Sequence, residues 1–397
     1  MPTTVTEREL RGADFRVGIS AQTAKDAIDE NPVFIPVRRR EGKTMKAIGY
    51  VEDPTVSGDM QALEQIQDTE DLSAELVASF SKQSVDWLIH ALHSDSVEAT
   101  VTDTDIAATA TGFTSVGNDF GVYEVGDGIW VSGFLDSDID GFYIVTAAAA
   151  GVITTTPAPA ATEVAGESIT VTTLRSQNQD LPTYSAIQTR GTDLSQGDDI
   201  NYHTIYNAVP NTFSMEIGET GIVTSTTAYV AESEVDGFAA IAGQTYASPM
   251  TDRAVTSRKG AQSSVQAFYV DDASATCKVK SLSLEVNNNY QKDDAAGCNA
   301  FHVRGQFGVT GSVNIRSRIS DPFEWRNKSW DGTRAKIAVR VSHGGGDETY
   351  IVVNRAVVTE VTMPDGNNVA ANTEASIVAE NDVTRNHTIE VYRNWGA

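Results

Sequence analysis

The chain has 397 residues, enough for two or three domains with full cores, and 40% of them are hydrophobic, an ordinary proportion for a globular protein. A formal net charge of −25 argues against a chain that grips nucleic acid electrostatically, because a phosphate-binding surface needs clustered Lys and Arg. No apolar run approaches the roughly 20 residues of a membrane-spanning helix, and the opening MPTTVTERELRG lacks the apolar stretch of a secretory signal, so a membrane address is not expected.

In chain order, a short segment Arg16–Ser20 comes first, and the basic run Arg38-Arg39-Arg40 reads as a solvated or ion-paired strand end. Glu41-Gly42-Lys43-Thr44 ends like a phosphate-binding loop. The pattern's first glycine would fall at Val37, however, and the residues that follow read as strand. Ser84 is the predicted N-cap of a helix over Val85 to His93, with Val85, Leu88, Ile89 and Leu92 as its apolar stripe. His90 and His93 could share a helix face, yet two imidazoles with no carboxylate or thiolate nearby make an incomplete metal site.

From Ser94 to Pro182 the grammar changes to short apolar runs, Val125–Phe134, Asp140–Val145 and Ser168–Leu174, joined by Asp-Gly turns. Within it, Asp136, Asp138 and Asp140 followed by Gly141 match the opening of a calcium loop. The glutamate expected at the twelfth position is Ala147, and the bland reading is an acidic hairpin turn. The Thr/Ala/Asp-rich flanks, Ser94–Gly112 and Ala147–Gly166, are too poor in bulky apolar residues to pack well, which predicts a β domain tied to the rest by few contacts and removable without loss of assembly. Ala242–Ser264 reads as an extended arm.

Period-two alternation dominates the last third. Ser281–Val286, Lys336–Val341, Thr349–Val353 and Thr388–Tyr392 read as strands, and Asp321-Pro322 opens a second helix. Phe301 to Ile315 reads as one long strand or two joined by a glycine bend, with the odd-numbered residues packed. Cys277 and Cys298, in no metal-ligand spacing, read as free thiols. No Gly-x-Ser-x-Gly, His-Glu-x-x-His or Cys-x-x-Cys occurs, so no catalytic, cofactor-binding or metal-binding residue is assigned.

The most informative feature is an internal repeat. Ala208–Val235 aligns without a gap on Ala356–Val383, 148 positions on, and Met215/Met363, Gly218/Gly366, Val230/Val378 and Glu232/Glu380 are among the identities. A fainter match at a spacing of 237 sets Leu72, Leu76, Ala78 and Ser84 on Val309, Val313, Ile315 and Asp321. A competing register would set Val56-Ser57-Gly58 on Val309-Thr310-Gly311, but puts no cap and helix behind the strand. The difference between the two spacings places an insertion of 89 residues in the first copy, roughly Ser94 to Pro182.

The order of these elements, together with GDGIWVSGF, DGFYIV, NTFSMEIG and KVKSLSLEVNNN, resembles the major tail tube proteins of long, non-contractile-tailed bacteriophages. The resemblance implies a mainly β fold: two tail-tube-like β-sandwich modules, each with one helix, plus a small inserted β-barrel or Ig-like domain. The corresponding expected division is 1–93 with 183–241 as the first module, 94–182 as the insertion, 242–264 as a linker arm and 265–397 as the second module. It further implies a structural virion protein, not an enzyme, assembled in the host cytoplasm and polymerised into stacked rings that form the channel for genome ejection. The duplication would close a pseudo-sixfold ring with three chains. Implied partners are other copies of the chain, tape measure protein and double-stranded DNA in the lumen, and tail terminator and distal tail proteins at the tube ends, with no membrane. A capsid decoration or tail-fibre protein that binds carbohydrate through the inserted domain is the alternative. An acidic bore suits DNA passage. Arg304 and Arg316, on the polar face of Phe301–Ile315, depart from that, so either this face avoids the lumen or neighbouring carboxylates neutralise it.

Overall fold

A computed structural model of the chain describes residues 15–27, 29–37, 41–52, 65–94, 97–179, 181–193, 198–235, 240–248, 254–257, 264–275, 278–293, 301–316, 324–362 and 372–395. Arg38-Arg39-Arg40, Cys277, Cys298, Val56–Gly58 and Asp321-Pro322 lie outside them.

Strands dominate because Thr, Val, Ile and Ala alternate with polar residues along most of the chain. Eight of them run edge to edge in one antiparallel sheet, in the order Glu41–Glu52, Gln65–Ser79, Thr224–Ala231, Asp198–Ile217, Val279–Asn287, Gly308–Arg316, Asn372–Ala379 and Asp347–Thr362. One face is apolar: Leu72, Ala74, Leu76 and Ala78 join Phe213, Met215, Ile217, Leu282, Leu284, Val286, Val313 and Ile377 in a single buried cluster. Each large apolar side chain fully withdrawn from water there contributes about 1.5–3 kcal/mol.

Pair by pair, the two halves of this sheet share their register. Val209 faces Val230 and Pro210 faces Tyr229, a bulge follows, and Thr212 faces Ala228. In the other half Val357 faces Val378, Val358 faces Ile377, a bulge follows, and Glu360 faces Ser376, each residue 148 positions further on. Ser73–Val230 and Leu76–Thr227 likewise correspond to Thr310–Val378 and Val313–Ala375, which is the 237 spacing. The upstream parts of the two long strands behave alike. Asp198–Ile217 pairs with Tyr184–Asp193, which pairs with Phe15–Gln22, and Asp347–Thr362 pairs with Ala335–Gly344, which pairs with Val265–Val270. Helix α1 (Lys82–Ala91) lies against the first long strand and α2 (Glu324–Asp331) against the second.

Helix α1 begins earlier than predicted. Its N-cap is Ser81, in extended conformation, while Ser84 sits buried inside the first turn, where its Oγ accepts a hydrogen bond from Ser225 Oγ at 2.9 Å. The cap is set by where the preceding strand stops, at Ser79, two residues before Ser81, rather than by the first apolar residue. The segment Phe301–Ile315 resolves into two strands, Phe301–Arg304 and Gly308–Arg316, and in the first of them the odd positions Phe301 and Val303 are exposed rather than packed. There the strand leaves the sheet and pairs only with Tyr290–Asp293 as a projecting hairpin, so no second layer covers that face among the described residues.

The insertion has its own core, including Phe113, Phe120, Ile129, Val131, Tyr143, Val145 and Ile153, enclosed by seven short strands. Its flanks are ordered, contrary to the composition-based expectation: Val97–Asp103 pairs with Ile169–Gln177, and hydroxyls bridge the strands at Thr100–Thr172 (2.6 Å) and Thr102–Thr170 (3.0 Å). Nor is the domain loosely tied. Its last strand, Ile169–Gln177, pairs antiparallel with Ile389–Arg393, with Arg175 opposite Tyr392. Trp130, Phe142 and Ile144 alternate with the residues that face its own core, so they point the other way and pack on Tyr269, Tyr350, Val352 and Tyr392. Arg385 locks the junction, with Nη2 2.5 Å from Asp127 Oδ1 and its guanidinium 3.0 Å from Glu390 Oε1. Both carboxylates are almost wholly buried, at 3% and 0% side-chain exposure. Replacing Arg385 with Met takes the salt-bridge partner from buried Glu390 and leaves Asp127 with Arg175 alone, at 3.2 Å, and the unfolding free energy is expected to fall by about 3–5 kcal/mol in urea titrations. A change below about 1 kcal/mol, within the range of exposed pairs, contradicts this role.

Candidate functional site on the open face of the sheet

The face opposite the buried cluster is built almost entirely of hydroxyl and carboxylate side chains. Residues directly opposite one another in the ladder share a face. One row therefore runs Val77, Thr226, Ser214, Glu285, Thr310, Val378, and the next runs Ser79, Thr224, Glu216, Ser283, Ser312, Ser376. Ser283 Oγ and Ser312 Oγ are 2.9 Å apart, so neighbouring strands are cross-linked by hydroxyls rather than by ion pairs. A depression of about 510 Å³ crosses the middle of this face, where Ser214, Glu216, Glu285, Thr310 and Ser376 line it.

Charge on these rows is one-sided. Glu41, Glu75, Glu216, Glu285, Glu360 and Glu374 are exposed on it, against Arg316 and, opposite Glu75 in register, Lys43. Arg304 does not belong to this face: its guanidinium is spent on Asn288 Oδ1, at 2.8 and 3.1 Å, within the projecting hairpin and its neighbours. Of the two arginines singled out from sequence, only Arg316 shares the rows, and carboxylates outnumber it. Glu216 and Glu285 lie diagonally on adjacent strands, as do Glu360 and Glu374, so these exposed carboxylates repel one another across about 7–8 Å, softened by water and screened by salt.

The histidines form a different kind of feature. His90 and His93 lie at the end of α1, where Thr183 N–H donates to His93 Nδ1 (3.1 Å) and Tyr290 Oη meets His93 Nε2 (3.0 Å). His90 Nε2 is 3.4 Å from Ser185 Oγ. The rings turn to different partners, so this is a structural joint between α1 and the hairpin Tyr290–Asp293/Phe301–Arg304 rather than a metal site. Burial lowers His90 to about 4; burial, the Arg304 charge and His90 lower His93 to about 3. Folding therefore holds both imidazoles neutral. The stability this arrangement confers is complete above the unfolded value of 6.5 and is lost as pH falls toward the folded values.

Elsewhere, the other candidates dissolve into structure. Glu41-Gly42-Lys43-Thr44 is strand, paired with Ala74 to Val77, and cannot wrap a phosphate. In the Asp136–Gly141 turn, Asp136 Oδ1 accepts from Asp138 N–H (3.1 Å) and Asp140 Oδ1 from Phe134 N–H (3.1 Å), so the aspartates cap their own turn. A group the sequence reading missed is Asp103, Asp105 and Asp119, whose carboxylate oxygens lie within 4.8 Å of one another. Two of these residues flank one turn and the third opens the short 3-10 helix Asp119–Val122 beyond the following hairpin, a spacing that matches no linear motif. Asp119 accepts from Ser115 Oγ at 2.8 Å, Asp103 from Asp105 N–H at 3.1 Å, and Asp105 from Gly117 N–H.

The chain belongs to the phage tail tube protein family, whose family model matches residues 16–385. Among curated proteins, none matches it. It is thus a structural component of a bacteriophage tail that self-assembles into a tube. No helix among the described residues is long and apolar enough to cross a membrane.

For the histidine joint the expected outcome is a specific acid lability. Between pH 6.5 and about 4 each neutral-held histidine adds up to about 1.4 kcal/mol of lost stability per pH unit. A His90→Gln/His93→Gln variant measured by urea unfolding across this range should show a shallower pH slope than the parent chain; an unchanged slope contradicts the assignment.

Proposed function

We propose that three copies of this chain close a ring of pseudo-sixfold symmetry, that rings stack into the tail tube, and that the acidic hydroxyl face lines its bore. Each chain would contribute its eight-strand run to one continuous barrel, which leaves no strand edge open. The observation that carries the reading is the register identity of the two halves, bulges included, combined with the antiparallel pairing of one half to the other through Thr212–Ile217 and Leu282–Asn287. A chain with the same module twice, already joined edge to edge, has the geometry of two neighbours in a ring.

In this reading residues 1–93 and 183–241 form the first module, 265–397 the second and 242–264 the connection. Residues 94–182 form an outer domain, docked by Trp130, Phe142 and Arg385 on the side of the molecule away from the acidic rows. The bore would carry tape measure protein and then double-stranded DNA during ejection, with terminator and distal tail proteins capping the ends. The Ser/Thr rows keep a hydrated wall, and the glutamates give mild repulsion, whereas each Lys or Arg contact to phosphate would add salt-sensitive binding and friction.

Electron microscopy of the purified chain at rising concentration should show tubes with three chains per ring; a strictly monomeric species at every concentration defeats the proposal. Reversal of charge at Glu216→Lys and Glu285→Lys should leave tubes forming but slow DNA release from particles that carry it, most strongly at low salt. Release at the parental rate at every salt concentration would place that face outside the bore.

A further inference from the structure

The eight-strand run has two ends. Among the described residues, Glu41–Glu52 at one end is strand-paired only with Gln65–Ser79, with Thr44 N–H donating to the Thr189 hydroxyl at 2.9 Å, and Val357–Thr362 at the other end is paired only with Asn372–Ala379. Inside the chain the corresponding strands meet: Thr212 faces Asn287, Phe213 faces Val286 and Ser214 faces Glu285. The first strand of each pair maps onto the free end by the 148 spacing. The second maps onto the other free end by a spacing of 240, because Glu285 faces Thr310 and Leu284 faces Gly311 as Met45 faces Ser73 and Thr44 faces Ala74.

Resting on the ring reading, we infer that the free edge of Val357–Thr362 takes Glu41–Glu52 of a second copy of this chain in the register of the internal seam. Glu360 then stands opposite Ala47, Val361 opposite Lys46 and Thr362 opposite Met45. Burial supports the vacancy. Phe213 is fully buried at the internal seam, whereas its counterpart Val361 is only partly buried and Glu360 and Thr362 are exposed. Across the join, Val286 and Asn288 are fully buried, while their counterparts Lys46 and Ile48 are exposed.

A second, separate observation points to the same occupant. Trp330 on α2 is 73% exposed, and the 237 spacing that sets buried Leu88 on buried Trp325 sets His93 on Trp330. His93 is covered by the hairpin whose first strand begins at Tyr290, the rings 5.9 Å apart and edge-on. That hairpin has a counterpart in the first half: Tyr50, Val51 and Glu52 face Gln67, Ile66 and Gln65 as Tyr290, Gln291 and Lys292 face Arg304, Val303 and His302. The hairpin of a second copy, carried in by the edge pairing, lands over Trp330.

Cysteine cross-linking tests the register. In a Cys277→Ser/Cys298→Ser background, Ala47→Cys with Glu360→Cys should give, on mild oxidation of assembled tubes, a reducible ladder that ends at the closed trimer. Lys43→Cys with Glu360→Cys keeps the same face but lies four residues out of register, about 13 Å, beyond disulfide reach, and should give none. Tubes that assemble yet cross-link the in-register pair no better than the control overturn the register while leaving the tube reading intact. Absence of both tubes and ladder overturns the two together. Trp330 provides an independent readout: Trp330→Ala should raise the concentration needed for assembly by about tenfold or more, as for a buried aromatic anchor. Trp330→Phe should abolish the assembly-linked loss of iodide quenching of tryptophan emission. Equal quenching of the parent chain free and in tubes would overturn the docking of the hairpin there.

Discussion

Everything in this molecule hangs on the backbone ladder that joins Thr212–Ile217 to Leu282–Asn287. A bare strand edge presents a row of N–H and C=O groups that must find partners, and natural proteins cover, bend or pair such edges. Here the pairing is internal, and it aligns the apolar faces of two strand sets so that Phe213, Met215, Leu284 and Val286 share one core. Loss of that seam would expose apolar surface and open backbone together. The same constraint explains why the two halves cannot drift in register: a slip of one residue would turn every buried side chain outward.

Much of this was legible in the residues. The repeat at 148 anticipates the ladder in detail, because Val230, Val378 and the bulge positions are fixed by alternating burial on both sides of the sheet. The inserted domain's strands were legible too, from Trp130–Val131 and Phe142–Val145, but its attachment was not. Runs such as Gly-Ile-Trp-Val are apolar on both faces, and that signal for a strand covered on each side was outweighed by the Thr/Ala-rich flanks. The cap at Ser81 and the split at Gly305 depend on where neighbouring strands end, which local pattern does not encode. The acidic face was foreshadowed only as net charge; placing Glu75, Glu216, Glu285 and Glu374 on one surface requires the register across five strand pairings.

The two polar systems of the protein serve opposite ends. Around His90, His93, Tyr290 and Arg304, buried groups are individually satisfied and hold the hairpin on α1, so the joint is directional and intolerant of protonation. On the open face, hydroxyls and carboxylates stay in water and make few mutual bonds. Such a surface holds anions weakly, as the proposed bore would require of a wall facing a polyanion.

A reconstruction of the assembled tube at a resolution that separates strands tests the central claim most directly. The account requires three chains per ring, one unbroken barrel of antiparallel strands, and Glu216, Glu285 and Glu374 facing the bore. Six chains per ring, or a barrel whose inner surface is formed by any face other than the rows that carry these glutamates, would contradict it.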